Sequence, residues 1–176
     1  TINVNAVNDA PTASDNPLPT TNEDNDYTFA IADFNFSDVD AGDQLEEVRI
    51  TDLPAAGRLY EDNNGDGAIG TGEEITSTSV DVQRSVIVSG GFKFKPAADE
   101  NNESAAPITE YTDFDFQVSD GTDFNGTDRT MTINVNTVND APTASNNTVA
   151  TDEDNDYTFA IADFNFSDVD AGDQLE

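Results

Sequence analysis

The stretch Val7-Asn8-Asp9-Ala10-Pro11-Thr12-Ala13-Ser14 returns unchanged at Val138-Asn139-Asp140-Ala141-Pro142-Thr143-Ala144-Ser145. Both copies follow the same alternating run, Thr1-Ile2-Asn3-Val4-Asn5 and Thr132-Ile133-Asn134-Val135-Asn136, which sets a spacing of 131 residues from Thr1 to Thr132. That is the size of a domain and much longer than a solenoid rung. Proline fixes φ and drives its predecessor toward extended geometry, so Asn-Asp-Ala-Pro between two strands reads as a stiff junction. The chain therefore reads as a segment of a tandem array. Residues 1–8 are expected to be the last strand of a preceding repeat, 9–140 a complete repeat, and 141–176 the start of the next. Residues 152–176 match 22–46 at 24 of 25 positions, the exception being Asn22 against Asp152. About 36 residues bury too little surface to enclose a core. The last segment is accordingly expected to be mobile or to dock on a neighbouring molecule.

Alternation of apolar and polar residues sets the fold class. Tyr27, Phe29 and Ile31 alternate with Thr28, Ala30 and Ala32; Val48 and Ile50, Phe92 and Phe94, Phe114 and Phe116, and Met131, Ile133 and Val135 follow the same period of two. Such runs predict half-buried strands. Ile75, Val80, Val82, Val86 and Val88 suggest further extended segments, and Pro17 and Pro19 are placed in a loop. No stretch shows a sustained helical period. About seven strands separated by Gly, Asn and Asp turns predict an all-β sandwich of immunoglobulin-like type. The phenylalanines are read as core filling rather than as a stacking platform for a ligand, because they alternate.

The chain holds 37 Asp+Glu and 6 Lys+Arg, a formal net charge of −31, with neither cysteine nor histidine. Disulfides and thiol chemistry are excluded, as are the commonest general base and the usual transition-metal ligand. Nucleic acid and anionic membranes would repel such a surface, and no stretch approaches a transmembrane helix. Disorder, solvation and cation binding all favour acidity; the recurring aromatic and β-branched residues weigh against disorder. Paired carboxylates such as Asp38 and Asp40 resemble a glycosidase pair, but no apolar pocket is available to raise one pKa, so the chain is not expected to be an enzyme.

Two constellations carry chemistry. Asp62-x-Asn64-x-Asp66-Gly67-Ala68-x-x-x-x-Glu73 has oxygen side chains at positions 1, 3 and 5 of a twelve-residue loop, glycine at 6, the Ala68 carbonyl at 7 and glutamate at 12. Alternate side chains of such a loop converge on one point, glycine permits the turn, and the late carboxylate closes the far side, as in an EF-hand calcium loop. The flanks, Leu59-Tyr60 and Ile75-Thr76, are strand-like. The loop is therefore either an EF-like calcium site between strands or an Asx- and Gly-rich turn without an ion.

The second constellation is spread over strand ends: Asn8, Asp9, Glu23, Asp38, Asp40, Asp99, Glu100, Asp120, Asn139, Asp140, Asp168 and Asp170. Turns of a sandwich alternate between two poles. Glu23 and the loop at 97–107 belong to the pole from which the last strand exits, and Asp38, Asp40 and Asp120 to the pole that receives the incoming linker. Stacking two repeats would gather Glu23, Glu100, Asn139, Asp140, Asp168 and Asp170. Crowded carboxylates repel, and a hard divalent cation with oxygen ligands relieves that. A solvated acidic rim is the other reading.

Asn-Asp-Ala-Pro resembles the linker of cadherin domains, Asp38-Val39-Asp40 their Asp-x-Asp loop, and Glu23 the glutamate near their first strand. Phe36 through Leu45 is similar to the start of dystroglycan-type cadherin-like domains. Leu53-Pro54, Gly57-Arg58-Leu59-Tyr60, Phe92-Lys93-Phe94-Lys95-Pro96 and Val118-Ser119-Asp120-Gly121 resemble cadherin-like repeats of giant bacterial RTX-type adhesins exported by type I secretion. The linker is shorter and less rich in aspartate than in animal cadherins, and Asp99-Glu100-Asn101 matches their Asp-Arg-Glu loop only loosely. The resemblance implies a Ca2+-rigidified extender at the bacterial cell surface, whose partners are neighbouring repeats of the same chain. The rival expectation is a calcium-dependent module that grips a glycan or a protein.

Overall fold

The computed structural model describes residues 1–3, 5–102, 110–170 and 172–175. They form two compact units, Thr1–Thr137 and Val138–Glu176. In the first, the strands are β1 (Asn16–Asn22), β2 (Tyr27–Thr28), β3 (Glu47–Ile50), β4 (Arg58–Glu61), β5 (Val80–Gln83), β6 (Phe92–Lys95), β7 (Thr112–Ser119) and β8 (Arg129–Asn136). They build a five-stranded sheet in the order β1-β8-β7-β3-β5 and a three-stranded sheet in the order β2-β6-β4. The fold is an all-β sandwich.

Period-two burial explains the pairing. Along β7, Thr112, Phe114, Phe116 and Val118 are buried; along β8, Met131, Ile133 and Val135. Their inward faces meet Phe92 and Phe94 of β6 through two phenylalanines that lie on neither sheet's main strands. The Phe29 ring lies 4.7 Å from Phe92 and 5.6 Å from Phe114, and the Phe34 ring lies 5.3 Å from Phe116. Edge-to-face and offset rings of this kind add about 0.5–1.5 kcal/mol per pair beyond their buried area.

Four local expectations are corrected. Pro17 and Pro19 lie within strand β1, not in a loop, because β1 is the sheet edge and bonds a neighbour on one side only. Val86 and Val88 lie on a short helix, α1 (Arg84–Val88), not on a strand. There the β-branched residues indicate extended chain, but burying Ile87 while Gly90 takes φ +76° to stop the turn favours helix. The alternation from Tyr27 to Ile31 forms a strand only at Tyr27–Thr28, then gives way to a 3-10 turn over Ile31–Phe34. That turn is held by Asp33, whose Oδ2 accepts the Ala30 N–H (2.8 Å) and the Tyr27 hydroxyl (3.1 Å). Asn35, at φ 45°, ends it in the left-handed region that asparagine tolerates. The segment 1–8, expected as the last strand of a preceding repeat, forms no strand among its described residues, 1–3 and 5–8.

The second unit holds β9 (Thr143–Ala144) and β10 (Phe166–Ser167), paired antiparallel, and a 3-10 turn over Ile161–Phe164. Its local bonds repeat those of the first unit. Asp163 Oδ2 accepts the Ala160 N–H (2.8 Å) and the Tyr157 hydroxyl (3.0 Å), and Asn147 Nδ2 donates to the Asp163 carbonyl (2.9 Å) as Asn16 donates to that of Asp33 (2.8 Å). The burial differs. Phe29 and Phe34 are 1% and 0% exposed, whereas Phe159 and Phe164 are 62% and 50% exposed.

Candidate metal centres

At one pole of the first unit, Asp38, Asp43 and Asp120 each place a carboxylate oxygen within 4.8 Å of the others. Backbone geometry puts them there. The Asp40 N–H donates to Asp38 Oδ1 (2.8 Å), folding the Asp38-Val39-Asp40 turn, and the Asp9 N–H donates to Asp40 Oδ2 (2.7 Å), tying the junction segment to that turn. Asn8 Nδ2 donates to Asp120 Oδ2 and to Asp123 Oδ2, each at 3.1 Å. Asn8, Asp9, Asp38, Asp40 and Asp120, separated by up to 112 residues, thus share one pole.

The electrostatics there pull in two directions. Burial, then the charges of Asp38, Asp40 and Asp120, push the Asp43 carboxyl above its ordinary value. Burial alone would raise Asp120 too, but N–H groups of Asp123 and Thr122 and the Asn8 amide outweigh it and hold that carboxyl below its ordinary value. Asp38 Oδ2 is buried and has no hydrogen-bond partner among the described residues. The group has oxygen donors of one sign and suits a hard cation.

The second unit rebuilds half of this pole. The Asp140 N–H donates to Asp170 Oδ2 (2.7 Å) and the Asp170 N–H to Asp168 Oδ1 (3.0 Å). Asp168, Asp170 and Asp173 each offer an oxygen within 4.8 Å of the others, and Asn139, Asp140, Asp168 and Asp173 line one recess.

At the opposite pole of the first unit, Glu23 is buried. Its N–H donates to the Asn136 carbonyl (3.0 Å), and its Oε2 accepts from Asn101 Nδ2 (2.9 Å). Asp24 and Asp99, both at positive φ, hold carboxylate oxygens within 4.8 Å of each other. Glu100 accepts the Tyr111 hydroxyl at 2.9 Å. Residues 103–107 of the 97–107 loop lie outside the described residues.

The EF-like loop folds between β4 and β5. Asp62 Oδ1 accepts the Gly65 N–H (2.7 Å), and its Oδ2 accepts the Gly67 N–H (3.1 Å) and Lys93 Nζ (2.7 Å). The Lys93 bond, assisted by both N–H groups, keeps the Asp62 carboxyl below its ordinary value despite burial. Asn64 Oδ1 accepts the Asp66 N–H (2.9 Å), Asp66 Oδ1 the Ala68 N–H (2.8 Å), and the two Glu73 oxygens the N–H groups of Asn63 (3.1 Å) and Gly70 (2.7 Å). Asp62, Asn64, Asp66 and Glu73 thus all accept N–H groups of the loop's own backbone, while Asn64 and Asp66 remain exposed. Among the described residues, Asp62, Asp66 and Glu73 do not form a group with three oxygens mutually within 4.8 Å.

Asp24, Asp43, Asp123, Asp173 and Asn101 belong to these poles and were not singled out from sequence. Asp43 and Asp173 had a signal, a third carboxylate three residues after each Asp-x-Asp pair; Asn101 had none. Comparison with protein-family models, curated proteins and solved structures finds no match to this chain. The poles therefore rest on their own geometry.

Proposed function

We propose that the chain is part of a calcium-stabilised extender of a large bacterial cell-surface adhesin, a spacer that supports cell adhesion or biofilm formation. One observation carries this reading. The two copies of the junction motif fold onto an aspartate turn in the same way, Asp9 on Asp40 and Asp140 on Asp170, each beside three crowded carboxylates. A cation-holding unit built the same way at each return of a period suits a spacer, whereas recognition of a partner is usually lodged in one atypical domain.

Asp38, Asp43 and Asp120, with Asn8, Asp9 and Asp40 supporting them, would hold one ion; Asp168, Asp170 and Asp173, with Asn139 and Asp140, the repeated one. Glu23, Asp99 and Glu100 supply carboxylates to the exit pole. Asp62, Asn64, Asp66, the Ala68 carbonyl and Glu73 are the donors of the loop site. A hard ion with six to eight oxygen ligands is the one these donors favour, and calcium fits better than magnesium, which demands a small rigid octahedron. Extracellular modules bind calcium in the ~10⁻⁴–10⁻³ M range, so such sites fill outside a cell and stay empty in cytosol. At tenfold excess over Kd each filled site adds about 1.4 kcal/mol of stability. Several together are comparable to the whole stability of a domain, about 5–15 kcal/mol. Neutralising part of the −31 charge also lessens self-repulsion.

The test is calorimetric titration of the full chain with calcium, with melting followed in calcium and in chelator. Saturable binding and a raised Tm are expected. Absence of both defeats the proposal, and a specific signal from the full chain on a glycan array would replace the spacer with a calcium-dependent binding module.

A further inference from the structure

Asn64-Gly65, in the EF-like loop, and Asn125-Gly126, between β7 and β8, are the two Asn-Gly sequences of the chain. Glycine has no Cβ to hinder its nitrogen, so that nitrogen can attack the side-chain amide of the asparagine before it. The fold holds the two amides differently. Asn64 Oδ1 accepts the N–H of Asp66 (2.9 Å), two residues on. The ring closed by that bond contains both Asn64 Cγ and the Gly65 nitrogen, so the amide carbon is folded back over the next peptide. The same N–H faces the oxygen on which negative charge gathers when that carbon is attacked. The Gly65 N–H donates to Asp62 Oδ1 (2.7 Å), which leaves its nitrogen richer in electrons. Asn64 and Gly65 are exposed, and a Cβ on Gly65 would meet nothing within 4 Å, so a cyclic product and water both have room. Asn125 is held the other way. Its Oδ1 accepts the Val118 N–H (3.1 Å), its own N–H donates to the Val118 carbonyl (3.0 Å), and its Nδ2 donates to the Thr127 carbonyl (2.6 Å). That amide is committed to strand β7, and attack by the Gly126 nitrogen must first break the pairing.

We infer that Asn64 is a modification site, deamidating through a cyclic imide in the folded chain, while Asn125 is protected by its bonds to Val118. The Gly65 nitrogen bonds to Asn64 Cγ and gives its proton to solvent. The Cγ–Nδ2 bond breaks, and the amide nitrogen takes a proton from water and leaves as ammonia. Water then opens the imide at either of its carbonyls. One opening leaves aspartate at position 64; the other routes the backbone through the side chain and lengthens it by a methylene. The consequence for the loop rests on the proposed function. Aspartate at 64 would give it carboxylates at positions 1, 3, 5 and 12, a set the calcium motif accepts, and more ligand charge tightens binding. The lengthened backbone would instead move Asp66 and Glu73 out of step with Asp62. Ageing of the protein would thus divide its loops into tighter and weaker binders.

The test is peptide mapping by mass spectrometry of the full chain aged at neutral pH in chelator, folded and in urea. Deamidation is read as the mass gained when an amide becomes a carboxylate. In urea both asparagines should react at comparable rates. Folding should leave the rate at Asn64 nearly unchanged and slow Asn125 about tenfold or more, since two hydrogen bonds to Val118 must open first. Gly65→Ala should slow the reaction at Asn64 several-fold and leave Asn125 as it was. An Asn64 slowed by folding as much as Asn125, or one indifferent to Gly65→Ala, would overturn the inference. Calcium separates this outcome from that of the proposed function: it should slow Asn64 alone, by drawing Oδ1 onto the ion. Rapid modification in chelator that calcium does not slow would uphold the modification site and count against the loop as a calcium site. Slow modification in chelator overturns the inference and leaves the calcium titration to judge the proposed function.

Discussion

Lys93 Nζ lies 2.7 Å from Asp62 Oδ2, on a carboxylate side chain that is 3% exposed. The ammonium thus sits on the first ligand of the EF-like motif, and a divalent ion entering the loop competes with it for the same oxygen. Lys93→Met keeps the apolar stem of this β6 residue and removes the charge. The expected outcome is tighter calcium binding at the loop and, in chelator, a lower Tm than wild type, because Asp62 loses its cation. Calorimetry on both proteins measures the first effect and thermal denaturation the second; unchanged affinity would show that the loop binds no calcium.

Asp43 is crowded by its own pole: burial, then the charges of Asp38, Asp40 and Asp120, raise its pKa. Removing its charge should therefore act in opposite directions with and without ion. Asp43→Asn is expected to raise Tm in chelator, by lifting like-charge repulsion, and to shrink the calcium-induced rise in Tm. A variant that loses stability in both conditions would mean that Asp43 has a packing role unrelated to charge.

Gly57 precedes β4 at φ +72°, and a Cβ there would meet the Phe94 ring and lie 2.8 Å from the Lys95 carbonyl oxygen. Neither backbone nor ring can retreat, since Phe94 is fully buried. Gly57→Ala is expected to cost about 1–3 kcal/mol from the backbone conformation alone, read as a lower denaturation midpoint with unchanged slope. Gly65, at nearly the same φ, has nothing within 4 Å of its would-be Cβ. Gly65→Ala should be the milder of the two.

Phe34 and Phe164 occupy the same place in the same local sequence, at 0% and 50% exposure. Phe34→Ala is expected to cost about 3–5 kcal/mol, as full truncation in a core does. Phe164→Ala should stay within about 0.5 kcal/mol, as exposed substitutions do. Urea denaturation of the two variants gives the comparison directly. Equal costs would mean that the second unit is covered in solution even at low concentration.

That pair also shows how far the sequence could be read. Alternation at Phe114, Phe116, Met131, Ile133 and Val135 identified the central strands, because period-two burial is a property of the strand itself. The 3-10 turn at Ile31–Phe34 was hidden behind the same alternation; its signal was Asp33, a side chain placed to bond the Ala30 N–H, which periodicity does not register. β1 was missed because its prolines argue against strand everywhere except at an edge, and edge status depends on sheet order. The extra residue there is absorbed where Pro17 faces Thr132 but Thr20 faces Asn134, while the second copy is one residue shorter between Ser145 and Asp152 than the first between Ser14 and Asn22. At the poles, Asp38, Asp40 and Asp120 were legible as strand-end acids, but the closeness of Asp43 to Asp120 depends on how two turns pack. The Lys93 bond to Asp62 crosses from β6 and has no local signal.

The pKa shifts at Asp62 and Asp43 predict a pH profile with two parts. Asp62 is depressed below 3.8 in the folded chain, so its contribution is present above the unfolded value and is lost as pH falls through the folded one. Asp43 is raised above 3.8, so its charged form costs the folded state stability at neutral pH, and that cost is lifted as pH falls through the raised value toward 3.8. In chelator, the stability difference between Asp43→Asn and wild type should therefore be largest at neutral pH, shrink as pH falls through the raised value, and vanish below 3.8. The Asp62 contribution, read as wild type minus Lys93→Met, should hold down to about 3.8 and fall below it. In millimolar calcium the Asp43 effect should reverse sign at neutral pH, since the ion then needs that carboxylate. Chemical denaturation midpoints of the three proteins, from pH 7 downward with and without calcium, measure all of this. A difference between Asp43→Asn and wild type that does not change with pH would sink the electrostatic account of the pole.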